Sequence, residues 1–310
     1  MARRGVAILG IFVADLAFRA RRMPAIGETI AGSGFKMGPG GKGSNQAVAA
    51  ARAGAQVTFI SKIGRDDFGS VALETWRREK IEAVVAQSDT DPTGAAFIYV
   101  NEQTGQNAII VVPGAAATIT AADVEAAGEA IRNAAVFVTQ LEQPIPAARR
   151  GLEIARAAGV ATVFNPAPAE PVDDAIYPLC DFVTPNETEA SLLTGIEVTT
   201  IDQARRAGDV FLNKGVGTAL ITLGENGALL HGGGRSVHIP AFRAGPVVET
   251  AGAGDAFNGG FAAALARGDT PAEAARFGCA VAGISVTRHG TAPSMPTLAE
   301  VEALLARAGA

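Results

Sequence analysis

The sequence predicts an α/β fold, in which a doubly wound and mostly parallel sheet is flanked by helices and carries a small β-sheet lid. Short apolar runs alternate with longer segments of helical period, which is typical of a parallel sheet covered on both faces. Two stretches of alternating residues and turns interrupt this order. The chain has 310 residues, of which 48% are hydrophobic, and this is enough for one large core.

Six apolar runs are predicted to form the main sheet. The first, VAILGIFV over 6–13, follows Arg3 and Arg4 and imitates a secretion signal. Asp15 and Arg19 interrupt the apolar stretch early, and no small-residue cleavage site follows, so we interpret it as a buried strand. The other predicted strands are 56–63, 135–140, 160–165, 180–185 and 218–224. Helical segments such as SNQAVAAARAGA and DDFGSVALETWRREK lie between them, and right-handed crossovers then place the carboxyl ends of the strands at one edge.

The lid is predicted from segments at approximately 24–37 and 93–113, inserted into a single domain that spans 1–310. NEQTGQ reads as a hairpin loop between two strands of this lid. The inward face is expected to carry Ala96, Ile98 and Val111. The alternative is an antiparallel extension of the main sheet. A lid with two apolar faces would also pair two subunits, so we expect a homodimer.

Composition limits the partners. The net charge is −5 and no run of Lys and Arg is present, so we expect no nucleic-acid binding. No other apolar run has the length of a membrane span, so we expect no membrane association. Cys180 and Cys279 are the only cysteines, which fits a reducing cytoplasm.

The stretch ETAGAGDAFNGG, residues 249–260, places Asp255 among glycines ahead of an alanine-rich helical segment. Glycines before a helix let its first, unpaired amides approach an anion. A helix N-terminus should lower the pKa of Asp255 and keep it ionised. A carboxylate beside an anion hole suits a reaction in which a hydroxyl loses its proton while it attacks phosphorus. The alternative is an aspartate that only caps the helix.

A second glycine cluster, GPGGKGSNQA over 38–47, lacks the spacing of a Walker loop. Gly41 and its glycine neighbours let the backbone approach a ligand, while Lys42 and Asn45 supply groups that suit the hydroxyls of a polyol. The alternative is a tight connection into the next helix with a solvated lysine.

Three further motifs follow predicted strands. QLEQP places Glu142 after one strand, and TPNETEA places Asn186 and Glu189 on one face at the start of a helix. Asn and Glu with intervening water suit magnesium, whereas the same spacing also fits a capping box. TLGENG, over 222–227, is a strand end with a glycine turn, or an ordinary hairpin turn.

Taken in order, the motifs GGKGSNQA, NPAPA, TPNETEA, TLGENG and AGAGDAFNGG resemble the ribokinase family of carbohydrate kinases, and the likeness runs from the first strand to VTRHGTAPSMP at 286–296. The resemblance implies that Asp255 is the catalytic base and that Gly252, Ala253 and Gly254 form the anion hole. It implies that Asn186 and Glu189 lie on the side of the site that holds magnesium and the phosphate groups. The implied nucleotide residues are Asn186, Thr222, Gly224, Gly227 and Gly254, and the implied sugar residues are Asp15, Gly41, Lys42, Asn45, Glu142 and Asp255.

Two positions depart from the family pattern. Ribose-specific members usually have Asn two positions before the sugar-binding Asp, and this chain has Val13. The family commonly has Asp where this chain has Glu249, beside the anion hole, as a ligand of potassium. By resemblance the potassium ligands are Glu249, the backbone carbonyls of Ala251, Ser285, Arg288 and Gly290, and Ser294.

We therefore expect an ATP-dependent kinase that uses magnesium, with potassium as a further cofactor, and phosphorylates the primary hydroxyl of a small sugar, with D-ribose leading. One alternative keeps the chemistry with another pentose, a deoxy sugar, a hexose or a nucleoside. Another is a non-catalytic sugar-binding protein on this fold. A nicotinamide dehydrogenase is the third, but the first strand lacks the required glycine fingerprint.

Overall fold

The computed structural model describes residues 5–308, so Arg3 and Arg4 lie outside the described residues. A nine-stranded sheet forms the centre of the fold, in the order β13-β12-β11-β10-β9-β8-β1-β4-β5. The pairs β11–β12 and β12–β13 are antiparallel, and the other pairs are parallel. Its strands are β1 Val6–Leu9, β4 Val57–Gly64, β5 Glu82–Ser88, β8 Val136–Thr139, β9 Ala161–Phe164, β10 Phe182–Val183, β11 Thr218–Thr222, β12 Ala228–Gly232 and β13 Arg235–Ile239.

Helices cover both faces of this sheet. They are α1 Lys42–Arg52, α2 Asp67–Arg78, α3 Ala121–Ala126, α4 Gly128–Asn133, α5 Ile145–Ala157, α6 Glu187–Thr194, α7 Ile201–Asn213, α8 Ala253–Arg267, α9 Pro271–Ser285 and α10 Leu298–Ala308. Val6 and Ile8 point into one hydrophobic core, with residues of α1, α2 and α8 to α10, whereas Ala7 and Leu9 point into the other, with residues of α3 to α7. This alternation along one strand confirms the predicted doubly wound architecture. Within residues 5–308, no helix has both the length and the apolar character needed to cross a membrane.

A separate four-stranded sheet has the order β3-β2-β6-β7, which rules out the antiparallel extension of the main sheet. Its strands are β2 Val13–Ala20, β3 Gly34–Gly40, β6 Thr93–Asn101 and β7 Asn107–Gly114. We call this sheet the lid. β6 and β7 form the predicted hairpin around NEQTGQ.

The strand bounds of the lid differ from the sequence prediction in two ways. The run 6–13 is not one strand, because the main-sheet strand ends at Leu9 and the lid begins at Val13. At Gly10 a Cβ would lie 2.7 Å from the Cα of Gly43, so the chain here passes directly against the start of α1. Residues 24–33 form no strand, so only the end of the predicted segment 24–37 belongs to the lid, in β3, and the central strand β2 lies outside both predicted segments.

The two faces of the lid carry different residues. Asp15, Ala96 and Val111 are neighbours across three strands and share one face, whereas Phe97 and Tyr99 belong to the other. Ala96 is buried as predicted, and Ile98 is half-buried. Val111 lies on the predicted face with Asp15 and Ala96 but is 48% exposed, because it belongs to the edge strand β7.

Close packing of α1 against α8 determines how the glycine motifs meet. A Cβ at Gly259 would lie 2.5 Å from both the Cβ of Ala49 and the carbonyl oxygen of Gln46. The two helices approach so closely only because residue 259 has no side chain. This contact places the first turn of α1 beside the first turn of α8, at the carboxyl edge of the main sheet.

Candidate active site

Asp255 is the third residue of α8, which starts after Gly252 in a left-handed conformation with φ of 78°. The Asp255 side chain is buried and accepts two hydrogen bonds from α1. Asn45 Nδ2 donates to Oδ2 at 3.0 Å, and Gln46 Nε2 donates to Oδ1 at 3.2 Å. The carboxylate is therefore fixed by donors on a different helix, and a purely capping role does not explain this arrangement.

The backbone around Asp255 presents free donors. The N–H of Ala253 donates to the Thr250 carbonyl at 3.1 Å, so this amide is already engaged. Among the described residues, the N–H groups of Gly254 and Asp255 have no acceptor. Two unpaired amides at the positive end of a fifteen-residue helix form a site for an anion.

A cavity of about 140 Å³ adjoins these amides. Residues from both halves of the chain line it, including Lys42, Asn186, Glu189, Thr222, Gly252, Ala253, Gly254 and Asp255. Most of the residues implied for the anion hole, the magnesium ion and the nucleotide thus line one cavity.

The residues implied for the sugar lie in the same region. The carboxylate of Glu142 accepts a hydrogen bond from the backbone N–H of Lys42 at 2.7 Å. The Asp15 carboxylate packs against Gly40, where a Cβ would lie 2.1 Å from Oδ1. Gly41 precedes α1 with φ of 89° and contacts the Ile11 carbonyl. The lid and the main body therefore both supply polar groups next to Asp255.

Burial dominates the electrostatics of these carboxylates. It raises the pKa of Asp15 to about 6, with a further rise from the charge of Asp255. It raises the pKa of Glu142 to about 7, although the charge of Lys42 opposes the rise. Burial acts to lower the pKa of Lys42, but the negative charges of Asp255, Glu142 and Glu189 outweigh this effect and raise that pKa.

The direction of the Asp255 pKa corrects the sequence expectation. The position at a helix N-terminus predicted a lowered pKa, yet burial raises it and outweighs Lys42, Asn45 and Gln46, all of which act to lower it. The sequence showed the helix end but not the depth at which the side chain lies. A buried carboxylate with a raised pKa is a stronger proton acceptor than the one first predicted.

The pair Asn186 and Glu189 forms the predicted capping box of α6. Asn186 Oδ1 accepts from the Glu189 N–H at 2.8 Å, and Glu189 Oε2 accepts from the Asn186 N–H at 2.9 Å. Both residues nevertheless line the cavity beside Asp255. Within the described part of the chain, Glu189 Oε1 accepts no hydrogen bond, so this oxygen fits the water shell of a magnesium ion.

The proposed nucleotide side lies next to α6. Thr222 pairs with Asn186 across the end of the sheet. Gly224 lies near the Glu187 carboxylate, and Gly227 has φ of 91° with no room for a Cβ against the Ile239 carbonyl. The hairpin alternative is correct in geometry, since β11 and β12 pair directly across this turn. A tight hairpin and a backbone open to a nucleotide are compatible.

The residues implied for potassium lie together at the end of α9. The Glu249 carboxylate accepts from the Gly290 N–H at 3.0 Å and lies 3.4 Å from His289 Nδ1. The backbone N–H of Glu249 donates to Val286. Ser285 and Ser294 each donate their hydroxyl to a nearby carbonyl, and the Arg288 side chain pairs with Glu300. Across residues 5–308, no group of three or more His, Cys, Asp or Glu side chains is arranged to hold a metal ion.

Several buried polar residues around Asp255 were not predicted from the sequence. Gln46, Gln140, Asn165, Thr184 and Asn258 form a connected network that ends on the Gly254 carbonyl. Gln46 lies in the motif GGKGSNQA and Asn165 in the motif NPAPA, but no role was predicted for either residue. For Asn165, an amide at the end of the apolar run VATVFN was the available signal, because a buried amide needs a partner, whereas Gln46 lies in a polar motif that offers no such signal.

Comparison with known proteins gives likenesses over nearly the whole chain. A family model described as pfkB family carbohydrate kinase matches residues 3–298. The ribokinase of Haemophilus influenzae is 39% identical over 299 residues, covering 96% of this chain and 97% of that protein. The deoxyribokinase of Salmonella typhi is 36% identical over 299 residues, covering 94% and 96%. The structure of Arabidopsis thaliana ribokinase complexed with ribose and ATP is 30% identical, with a TM-score of 0.91 and coverage of 98% and 99%.

Glu142 should make the stability of the protein depend on pH. Its pKa is raised to about 7 from 4.5, so between these pH values the folded protein holds a proton that the unfolded chain releases. The stability that this group contributes is therefore present at low pH and is lost as the pH rises to 7. We expect Glu142→Gln to raise the free energy of unfolding at pH 8, by about 3 kcal/mol at most, and to change it little at pH 5.

Thermal unfolding at both pH values measures this difference. Gln retains an oxygen for the Lys42 N–H, so the variant removes the charge and leaves an acceptor in place. The exposed Glu302→Gln is the matched control and should shift Tm little at either pH. Equal Tm shifts at pH 5 and pH 8 would contradict the assignment.

Proposed function

This chain belongs to the pfkB family of carbohydrate kinases and is an ATP-dependent sugar kinase, and we propose that it converts D-ribose to D-ribose 5-phosphate. The observation that carries the proposal is the buried carboxylate of Asp255 beside the unpaired amides of α8. The likeness to the ribokinase complexed with ribose and ATP supports the choice of acceptor. We propose that the chain acts as one kinase domain with the lid as an insertion.

In the proposed reaction, the primary hydroxyl oxygen of the sugar attacks the γ-phosphorus of ATP. Its O–H proton passes to Asp255, a new O–P bond forms, and the bond from phosphorus to the bridging oxygen of ADP breaks. The unpaired amides of Gly254 and Asp255, presented by the turn at Gly252 and Ala253, hold the phosphoryl oxygens as charge develops on them. Phosphoryl transfer depends mainly on positioning and charge stabilisation, so a fixed base and fixed donors supply what it needs.

The two substrates are assigned to opposite sides of Asp255. We propose that Asp15, Gly41, Lys42, Asn45 and Glu142 hold the sugar. Asn186, Thr222, Gly224, Gly227 and Gly254 are proposed to hold the nucleotide. Contacts support this grouping, since the Lys42 N–H donates to Glu142 and Asn45 donates to Asp255, while Asn186, Thr222 and Gly254 line one cavity beside Asp255. Closure of the lid, which carries Asp15, would exclude water that otherwise hydrolyses ATP.

We propose that magnesium is held through water by Asn186 and Glu189. The free carboxylate oxygen of Glu189 in the cavity supports this. When bound, the ion would neutralise charge on the phosphate groups. Potassium is proposed at Glu249, Ala251, Ser285, Arg288, Gly290 and Ser294. The extra methylene of Glu249 and its contact with the Gly290 N–H set this site apart from one with Asp.

A deoxy sugar is the second candidate acceptor, and Val13 is the observation that favours it. Val13 is the first residue of β2, is 3% exposed and lies two residues before Asp15. An apolar side chain at this position offers no hydrogen bond to a sugar hydroxyl, whereas a sugar lacking that hydroxyl loses nothing. The likeness to a deoxyribokinase agrees with this alternative.

We propose a cytoplasmic location, because ATP is available there and the buried thiols of Cys180 and Cys279 stay reduced. Detection of the protein outside the cytoplasmic fraction of lysed cells would contradict it.

Asp255→Asn tests the catalytic assignment. We expect kcat to fall about 10²–10⁴-fold because the proton acceptor is lost, while the KM for ATP changes little. The measurement is ATP consumption against a panel of pentoses, deoxy sugars, hexoses and nucleosides, with and without potassium. Asp202→Asn, on the exposed face of α7, is the matched control. Full turnover in Asp255→Asn would remove Asp255 from the chemistry.

Val13→Asn tests the acceptor. We expect it to raise the ratio of kcat/KM for ribose to that for 2-deoxyribose about tenfold, since the amide can bond the additional hydroxyl. Val13→Leu is the control, because Leu has the branched shape of Asn without the amide, and it should leave this ratio unchanged. If wild-type protein prefers 2-deoxyribose, the second candidate replaces ribose; equal effects of Asn and Leu would show that Val13 does not read the hydroxyl.

We propose that two copies pair through the lid. Phe18, Phe35, Met37, Ile110 and Val112 lie on the face away from Asp15, and each is more than 40% exposed. An apolar surface of this kind is typical of an interface. Light scattering should give the mass of a dimer, and Ile110→Lys should shift it toward the monomer; a wild-type monomer at all concentrations would end this proposal.

A further inference from the structure

A row of buried amides runs from the end of β8 to Asp255. Gln140 Nε2 donates to Gln46 Oε1 at 2.6 Å. Gln46 Nε2 in turn donates to Asp255 Oδ1 at 3.2 Å and to Asn165 Oδ1 at 3.0 Å. Gln46 and Gln140 are fully buried, and neither lines the cavity beside Asp255.

The direction of this row is determined where Gln46 meets Asp255 and Asn165. Asn165 donates its own amide to the Thr184 carbonyl at 2.8 Å, so its oxygen faces Gln46 and requires a donor. Asp255 also requires a donor. A reversed Gln46 amide would place its oxygen against two other oxygens, and in the observed orientation Gln46 Oε1 accepts the hydrogen bond from Gln140.

Two glycines make room for the Gln140 side chain. A Cβ at Gly10 would lie 2.5 Å from Gln140 Oε1, and a Cβ at Gly43 would lie 2.9 Å from it. Gly10 follows β1 and Gly43 belongs to the first turn of α1. The close approach of these two segments thus forms a slot through which Gln140 reaches Gln46.

We propose that Gln46 and Gln140 are positioning residues for Asp255, with Gln140 orienting the Gln46 amide and Gln46 holding one oxygen of the carboxylate. Neither residue touches the substrates in the proposed reaction. Together with Asn45, Gln46 fixes the plane of the carboxylate and thereby the direction from which a hydroxyl proton can be accepted. The kinetic consequence rests on the proposed role of Asp255 as the base, but the positioning itself does not.

Hydrogen bonds to the ionised form of a carboxylate lower its pKa, and Gln46 acts on Asp255 in this sense. The charged groups that face Asp255 are Lys42 of α1, Asp15 of the lid, Glu142 after β8 and Glu189 of α6. These four charged groups remain in place when Gln46 or Gln140 is replaced. Loss of the Gln46 donor should therefore raise the pKa of Asp255.

The test is a ¹³C NMR titration of the Asp255 carboxyl carbon in substrate-free protein, with Asp255→Asn to assign the signal. The variants are Gln46→Met, Gln140→Met and the double variant, since Met matches Gln in size but has no amide. Gln46→Asn, a milder change, serves if Gln46→Met does not fold. Ser44→Ala is the control, because Ser44 is equally buried in α1 but bonds Trp76 instead of Asp255.

We expect the pKa of Asp255 to rise by about one unit in Gln46→Met, and by less in Gln140→Met. The double variant should match Gln46→Met, because Gln140 acts only through Gln46. Ser44→Ala should titrate like the wild type. An unchanged Asp255 pKa in Gln46→Met would overturn the proposal. If the pKa shift of the double variant equals the sum of the two single shifts, Gln140 does not act through Gln46.

Kinetics separate this proposal from the proposed function. The acid limb of the kcat profile should move with the Asp255 titration, giving about tenfold lower kcat at a fixed pH on that limb in Gln46→Met. The KM values for sugar and ATP should stay within about threefold. A shifted titration without a shifted kcat limb would leave the positioning intact and refute Asp255 as the base.

Discussion

The burial of one carboxylate, that of Asp255, is the constraint on which the rest of the site depends. An ionised group removed from water must recover its hydrogen bonds from the protein. Here the donors come from α1, so α1 and α8 must stay in close register. Gly259 permits this approach, and the helix start at Gly252 turns the free amides toward the same point. Fold and site are therefore specified by the same contacts.

The site gathers more negative charge than it can offset by itself. Asp15, Glu142 and Asp255 lie near a single cation, the half-buried Lys42, among the residues the structure describes. Such an arrangement lowers the stability of the empty protein at neutral pH, and the cost is a property of the site rather than a packing fault. Hydroxyl donors of a sugar would supply hydrogen bonds that these carboxylates lack. In the proposed reaction, a bound sugar would thus satisfy carboxylates that the chain alone leaves without enough donors.

Local pattern was enough to predict the doubly wound sheet, because strands such as Val57–Gly64 are short apolar runs between amphipathic helices. It was insufficient at 6–13, where one apolar run serves two sheets and only the contact between Gly10 and Gly43 determines the break. The order of motifs predicted the cavity residues. The pKa of Asp255 and the role of Gln46 could not be predicted, since both depend on depth and on partners more than 90 residues away in sequence.

The order of the site residues along the chain has an evolutionary consequence. Every residue assigned to the sugar, apart from Asp255, lies before position 143, and every residue assigned to ATP lies after position 185. The division means that mutations in the lid and in the first strands and helix can redirect acceptor choice while the phosphate-handling half is inherited unchanged. Asp255 is the exception, because it belongs to the second half and is held by Asn45 and Gln46 of the first. Diversification of substrates on this framework is then limited at the contact between α1 and α8, where the two parts of the chain meet around Asp255.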